Sequence, residues 1–360
     1  MKTTCLQENL HRALGIVGGA IPKGKASNPI TQNVLMECEG GQLKLKGTDL
    51  STTISVWIDA MDSSGEGVLV PHKYFQDLIG SLPRDKVVLE TKGANLTVKC
   101  GKSVAKLRID NHGDYPVENA SNATETILLE GKVLKEGLAV VYAAAISVER
   151  GSLRGVKIGL GKGTIEFAAT DGYKLAVQEL KADVDSAAEV VIPREAIETI
   201  KSMLGEETVA IGIGKGRVSF QLPSFQLTTS LLAETFPIYK QVMPSGYDCS
   251  IEVNRLELLR TLRSAVILPT EQKVVWMVVK SDSVLLKSKS QELGEYESVV
   301  AGEGKGEGKI AFNGEDLVVS LGSMSGNKVT LEIGSTTQPI LLRDGGYRVV
   351  LMPVITQWWE

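Results

Sequence analysis

The chain has 360 residues, 43% hydrophobic and 23% charged, enough apolar material for two or three packed domains, which excludes wholesale disorder. Its 39 basic and 43 acidic residues leave a net charge of −4, which excludes attachment to nucleic acid by bulk positive charge. The longest apolar run, 138–146, is nine residues and too short to cross a bilayer.

In chain order, Leu6, Leu10, Leu14 and Val17 recur at helical spacing and predict a first helix. Alternating apolar and polar residues at 34–37 and 43–46 predict strands joined by a Gly40-Gly41 turn. Phe75, Leu78, Ile79 and Leu82 predict a second helix, with strands at 87–90 and 95–99 following it. Leu134, Leu138, Val141 and Ala145 predict a third helix; Ile197, Ile200 and Leu204 predict a fourth, before a strand at 218–221. Leu259, Leu262 and Val266 mark a fifth, and Leu317, Val318 and Leu321 a sixth. Asn254 and Asn313 stand where the N-caps of these last two belong, with Asp316 three residues after Asn313.

The pattern repeats. Val70-Pro71-His72-Lys73 recurs 122 positions later as Ile192-Pro193-Arg194-Glu195, and Thr48-Asp49-Leu50 recurs at the same interval as Thr170-Asp171-Gly172. Asp114-Tyr115-Pro116 and Thr235-Phe236-Pro237 lie 121 apart, and Asn313 lies 119 beyond Arg194. Such a period predicts an α+β chain of three similar domains, each made of two helix-plus-strands units. The expected domains are 1–120, 125–244 and 247–360, with polar junctions at 118–125 and 244–248. The glycine-rich stretch 302–308 is expected to be a flexible loop within the third domain.

Chemistry-bearing motifs are scarce. The runs 159–163 and 212–216 resemble phosphate cradles, but both sit between predicted strands rather than ahead of a helix, so they read as hairpin turns. Gly101-Lys102-Ser103 ends like a phosphate loop, yet the position that needs the upstream glycine is Leu96. Asp49 and Asp171 could be paired carboxylates; the stronger reading is an Asp at a strand end in each copy, bonding turn amides. His11, His72 and His112 have no second ligand at helical spacing, and there is no GxSxG elbow. No enzyme, cofactor or metal site is expected. Cys5, Cys38, Cys100 and Cys249 are scattered, as in a chain with reduced thiols. Residues 1–20 hold Gln7, Glu8, Asn9, His11 and Arg12 where a signal peptide needs an apolar run, so the expected location is cytoplasmic, with no membrane partner.

The segment Ala169-Thr170-Asp171-Gly172-Tyr173-Lys174-Leu175-Ala176 closely resembles the ATDGHRLA of the bacterial DNA polymerase III β subunits, the sliding clamps. Phe236-Pro237-Ile238-Tyr239-Lys240-Gln241-Val242-Met243-Pro244 is similar to that family's FPDYRRVLP. Asn28-Pro29-Ile30, Gly47-Thr48-Asp49-Leu50 and Val349-Val350-Leu351-Met352-Pro353 agree in the same order along the whole chain. Tyr173 stands where the family usually has His and Gln241 where it often has Arg. The helix near 314–324 carries no basic residue, and the chain runs past the usual end through Trp358 and Trp359.

What the resemblance implies is a homodimer closed head to tail around duplex DNA, with helices lining the hole and antiparallel sheets outside. It would bind DNA without sequence preference and tether the DNA polymerase III catalytic subunit for processivity. The clamp-loader complex, other polymerases and repair proteins would dock through short peptide motifs. DNA-facing candidates are Arg12, Lys73, Lys132, Lys135, Arg194, Lys201, Arg255, Arg260 and Arg263 on helices, with Lys23, Lys25, Arg150 and Arg154 from nearby loops. The same helices carry acidic residues, and a mixed solvated face is the plainer reading of their charges.

By the same resemblance the subunit contact joins Leu107 to Ile267 and Leu268. The peptide crevice maps to Leu153, Thr170, Gly172, Tyr173, Lys174, Leu175, Pro237, Gln241, Val242, Val350, Met352 and Val354. Trp358 and Trp359 could fold back into that crevice, or pack elsewhere or lie in solvent. Two other readings stay open at this point: a clamp-fold interaction scaffold, phage-borne or a divergent paralogue, and a nucleotide-binding enzyme using the Gly/Lys loops.

Overall fold

A computed structural model describes the chain except residues 23, 25–27, 110–112, 114, 117–122, 183, 185–186, 269–272 and 358–360, and except the side chains of 148 and 150. It divides into two compact units, one of residues 1–132 and 195–231 and the other of 133–194 and 232–360. Among the described residues there are six α-helices: α1 (Gln7–Val17), α2 (His72–Ser81), α3 (Gly131–Gly137), α4 (Arg194–Met203), α5 (Arg255–Ala265) and α6 (Gly314–Ser323).

The first unit holds a five-stranded and an eight-stranded sheet. In the larger one the strand Thr52–Asp59 pairs antiparallel with Phe225–Ser230, so strands from two sequence repeats share one ladder. α1 buries Leu10, Ala13, Leu14 and Val17, a stripe at i, i+3, i+4 and i+7, against this sheet and α2. Leu6 belongs outside the stripe: it precedes the helix and is half exposed. Buried His72 on α2 bonds the Leu14 carbonyl through Nε2 at 2.8 Å, tying the two helices together.

The second unit is built on a twelve-stranded sheet. Its centre is the antiparallel pairing of Lys174–Lys181 with Tyr347–Leu351, in register from Lys174 opposite Leu351 to Gln178 opposite Tyr347. Leu175 and Val350, opposite each other, are buried with Phe236, Tyr239, Val177 and Leu341 in one apolar cluster. Alternating burial along Ser283–Ser290 leaves that strand one buried face, which pins its register. Asn254 and Asn313 cap α5 and α6: Asn254 Oδ1 accepts from Glu257 N, and Asn313 Oδ1 from Glu315 N and Asp316 N.

Two expectations change. The helix predicted through Ala145 is α-helical only to Gly137 and continues as a 3₁₀ segment, Leu138–Ala143. At the junction a Cβ on Gly137 would lie 2.1 Å from the buried Phe167 ring, so the backbone itself packs against the aromatic face. The stretch 302–308 is not a free loop. Gly294–Lys305 is one long strand whose last residues pair with Cys249–Asn254, and a Cβ on Gly302 or Gly304 would strike residues of that neighbour. These glycines serve close strand approach.

The other glycine-rich runs are hairpin turns. Gly163 and Gly216, at φ +75° and +77°, each sit between two paired strands. A phosphate loop would have to open a helix there. Cys5, Cys100 and Cys249 are buried, Cys38 is half-buried, and all four are unpaired.

Candidate functional site

The Thr170–Lys174 turn builds one wall of a cavity in the second unit. Thr170 Oγ1 donates to the Lys174 carbonyl at 2.7 Å and accepts from Gly172 N at 3.1 Å. Asp171 Oδ1 accepts from the amides of Tyr173 and Lys174, both at 2.9 Å. Gly172 takes φ +95°, which lets the chain reverse tightly and leaves Tyr173 67% exposed. Beyond Leu351 the chain stays tethered on both sides: Met352 N donates to Tyr173 O at 2.9 Å, and Val354 N to Ala311 O at 2.7 Å.

These tethers shape a cavity of about 410 Å³. Of the mapped residues Tyr173, Met352 and Val354 line it, together with Asp171, Phe312, Asn313, Asp316, Leu351, Pro353 and Ile355. Lys174 Nζ bridges Asp171 Oδ2 and Asp316 Oδ1, the latter at 3.0 Å. Burial by itself would raise the Asp171 carboxyl, but the Lys174 ammonium and the two turn amides together hold it below its ordinary value. Burial would lower the Lys174 ammonium; its two carboxylate partners overcome this and raise it. Behind the triad Tyr142 Oη donates to Ser320 Oγ at 3.1 Å, and burial raises the Tyr142 hydroxyl to about 12.

The remaining mapped residues fall into two groups. Thr170, Leu175 and Val350 are buried, the last two as core. Pro237, Gln241 and Val242 are exposed on or beside the 3₁₀ segment Tyr239–Val242, while Leu153 is half-buried. Of the lining residues absent from the mapping, Asp316 has a signal in sequence, its spacing from Asn313, but that spacing alone points only to helix capping.

On the helices Arg12, Lys73, Lys132, Lys135, Arg260 and Arg263 are exposed, and Lys201, Arg154 and Arg194 are half-buried. Arg194 donates to the Ala144 carbonyl at 2.6 Å. Arg255 is a correction to the DNA-facing set. Its side chain is 9% exposed, donates Nε to Gly326 O, and reaches Leu321 O through a terminal nitrogen at 2.8 Å. It ties α5 to the end of α6, and its burial leaves it little surface to offer a phosphate. Lys23, Lys25, the Arg150 side chain, Trp358 and Trp359 lie outside the described residues.

Among the described residues, two of the strands that pair on one side only over some or all of their length carry complementary charge. Ser103–Arg108 pairs on one side only, with Asn95–Cys100. The first part of Gly294–Lys305 pairs with Ser283–Ser290, while on its other side only 302–305 are paired. Val104 on the first edge is 61% exposed and Val299 on the second 59%. Leu107 is half-buried, Ile267 is 76% exposed and Leu268 half-buried. Lys106 and Arg108 are exposed on one edge, Glu295 and Glu297 on the other.

Three family models match in order: the N-terminal, central and C-terminal domains of the DNA polymerase III beta subunit, over residues 1–119, 128–238 and 240–354. The beta sliding clamp of Synechococcus elongatus is 28% identical over 357 residues, 95% of each chain. That of Pseudomonas aeruginosa is 27% identical over 353 residues, 96% of each. Among solved structures, the Pseudomonas aeruginosa sliding clamp bound to griselimycin superposes with a TM-score of 0.90 at 25% identity, over 99% of this chain and all of that one. The Thermotoga maritima beta subunit shares the fold at a TM-score of 0.89 and 23% identity, again over 99% of this chain and all of that one. With all three domains matched in sequence order, and the same fold over nearly the whole length, the chain belongs to the DNA polymerase III beta subunit family, the beta sliding clamps.

Proposed function

We propose that the chain works as a homodimeric ring around duplex DNA, holding the replicative polymerase on its template without catalysing any reaction itself. The observation that carries the reading is the opposite charge on two strand edges left without a partner among the described residues, one in the first repeat and one in the third. Open edges invite pairing with another chain. Lys106 and Arg108 on one match Glu295 and Glu297 on the other, and exposed Val104 and Val299 add apolar surface to the two edges. Joining them between copies gives a heterologous contact, which closes into a ring when the rotation is right. Leu107, Ile267 and Leu268 pack beside that ladder in this reading.

A ring held by topology needs only weak, sequence-independent phosphate contacts, which fits a net charge of −4. Arg12, Lys73, Lys132, Lys135, Arg260 and Arg263 supply them, Arg154, Arg194 and Lys201 contribute less, and buried Arg255 contributes least. The cavity beside Tyr173 and Met352 is the docking crevice for apolar peptide segments of the polymerase, the clamp loader and repair proteins, and exposed Val242 and Gln241 are further contact candidates by resemblance. Such work places the chain with the cytoplasmic replication machinery.

The test is retention on DNA after loading by a clamp loader. Protein on closed circles should survive a salt wash that strips it from linear duplex, and linearising the circle should release it. Equal loss from both forms would overturn encirclement.

A further inference from the structure

The cavity in the second unit is lined by both apolar and negatively charged side chains. Met352 and Val354 supply apolar lining, and Asp171 and Asp316 acidic lining. One ammonium, from Lys174, serves both carboxylates. Asp171 is fully used, with Oδ1 on two turn amides and Oδ2 on Lys174. Asp316 spends Oδ1 on Lys174, and no donor among the described residues reaches its Oδ2. Its side chain is 32% exposed and lines the cavity. The wall therefore carries one net negative charge and a vacant acceptor beside an apolar patch.

Resting on the reading of this cavity as a peptide crevice, we propose that it selects peptide segments with a Lys or Arg within two residues of the apolar anchor, and discriminates against Asp or Glu there. The spacing follows from size: a cavity of about 410 Å³ is roughly 7 Å across, the span of two extended residues at about 3.3 Å each. A cation so placed reaches Asp316 Oδ2 while the anchor covers Met352. A carboxylate in its place meets like charge and loses water without gaining a donor. Apolar surface would supply most of the affinity, and the carboxylate would decide between partners.

The experiment uses the full chain and two short peptides with the same two-leucine anchor, one with Lys and one with Glu beside it. Dissociation constants are measured by titration at low salt. The Lys peptide should bind about five-fold more tightly to the wild type. In Asp316→Asn the ratio should fall below about two-fold, and in Lys174→Gln, which strips the compensating ammonium, it should widen. Because each ratio is taken on one protein, a partial loss of folded material does not affect it. Equal binding, a preference for the Glu peptide, or a ratio untouched by Asp316→Asn would overturn the charge selection and leave the crevice standing. Failure of both peptides to bind the wild type would overturn the crevice reading and this inference with it.

Discussion

Leu50 and Gly172 hold the same place in two copies of one turn, and both have left-handed backbone, at φ +78° and +95°. The surrounding bonds repeat as well. Thr48 Oγ1 donates to Thr52 O and accepts from Leu50 N, as Thr170 Oγ1 does with Lys174 O and Gly172 N. Asp49 Oδ1 accepts from the amides of Ser51 and Thr52, as Asp171 Oδ1 does from those of Tyr173 and Lys174. The Thr and Asp side chains thus force a reversal that only glycine adopts without strain.

A leucine held at positive φ costs about 1–2 kcal/mol, part of which glycine returns through its freer unfolded chain. Leu50 is 46% exposed and sacrifices little burial. Leu50→Gly should therefore raise the denaturant midpoint, by up to about 1 kcal/mol in stability, and Gly172→Leu should lower it by about 1–2 kcal/mol. The pair is checked by equilibrium unfolding; opposite signs are the expected outcome.

Gly137→Ala should be more damaging than its one methyl suggests. The new Cβ would sit 2.1 Å from a ring carbon of Phe167, which is fully buried and cannot retreat. Overpacking of this kind costs about 1–3 kcal/mol. Gly322→Ala on α6, where nothing lies within 4 Å, is the control and should be neutral or mildly stabilising. Thermal denaturation of the two variants side by side checks the contrast.

Much of this was legible in sequence, because repeats and helical stripes are local. The Thr-Asp turn recurs at fixed spacing, and the two Asn caps announce α5 and α6. What failed depends on neighbours distant in the chain. Gly302 and Gly304 read as a loop until Ile251 is seen against them, and Arg255 reads as a solvent cation until Leu321 and Gly326 claim it. Leu175 and Met352 map to one crevice by resemblance, yet one is core and the other 46% exposed, because Leu175 lies inside a paired strand and Met352 just past the end of Tyr347–Leu351. Asp316 joined the site only once the fold brought it to Lys174.

If the open edges pair between copies, charge reversal on one should separate them and reversal on both should restore them. Lys106→Glu with Arg108→Glu should yield monomers at concentrations where the wild type is dimeric. Adding Glu295→Lys and Glu297→Lys should recover the dimer in the quadruple variant. Lys287 and Lys289 already neighbour those glutamates, at 3.1 and 2.7 Å, so the rescue should be partial. Light scattering or sedimentation gives the molar mass directly, and a wild type that remains monomeric at micromolar concentration would overturn the pairing.

The Lys174 bridge sets a pH window for the second unit. The Asp171 carboxyl lies below its ordinary value, so it stabilises the fold above the unfolded pKa of about 3.9, and that stability is lost as pH falls through the depressed folded value. The Lys174 ammonium lies above its ordinary value, so its contribution is complete below about 10.4 and is lost as pH rises through the raised folded value. Between these limits the bridge is intact. Asp171→Asn keeps an oxygen for the turn amides but removes the charge, so its melting temperature should fall below the wild type's by the largest margin near neutral pH. The gap should close as pH falls through the depressed folded value, where the wild-type carboxyl protonates too. Melting both proteins across that range isolates the bridge from the other carboxylates, which titrate alike in the two chains. A gap that stays constant from neutral to acid would assign the loss to packing and leave Lys174 without an electrostatic role.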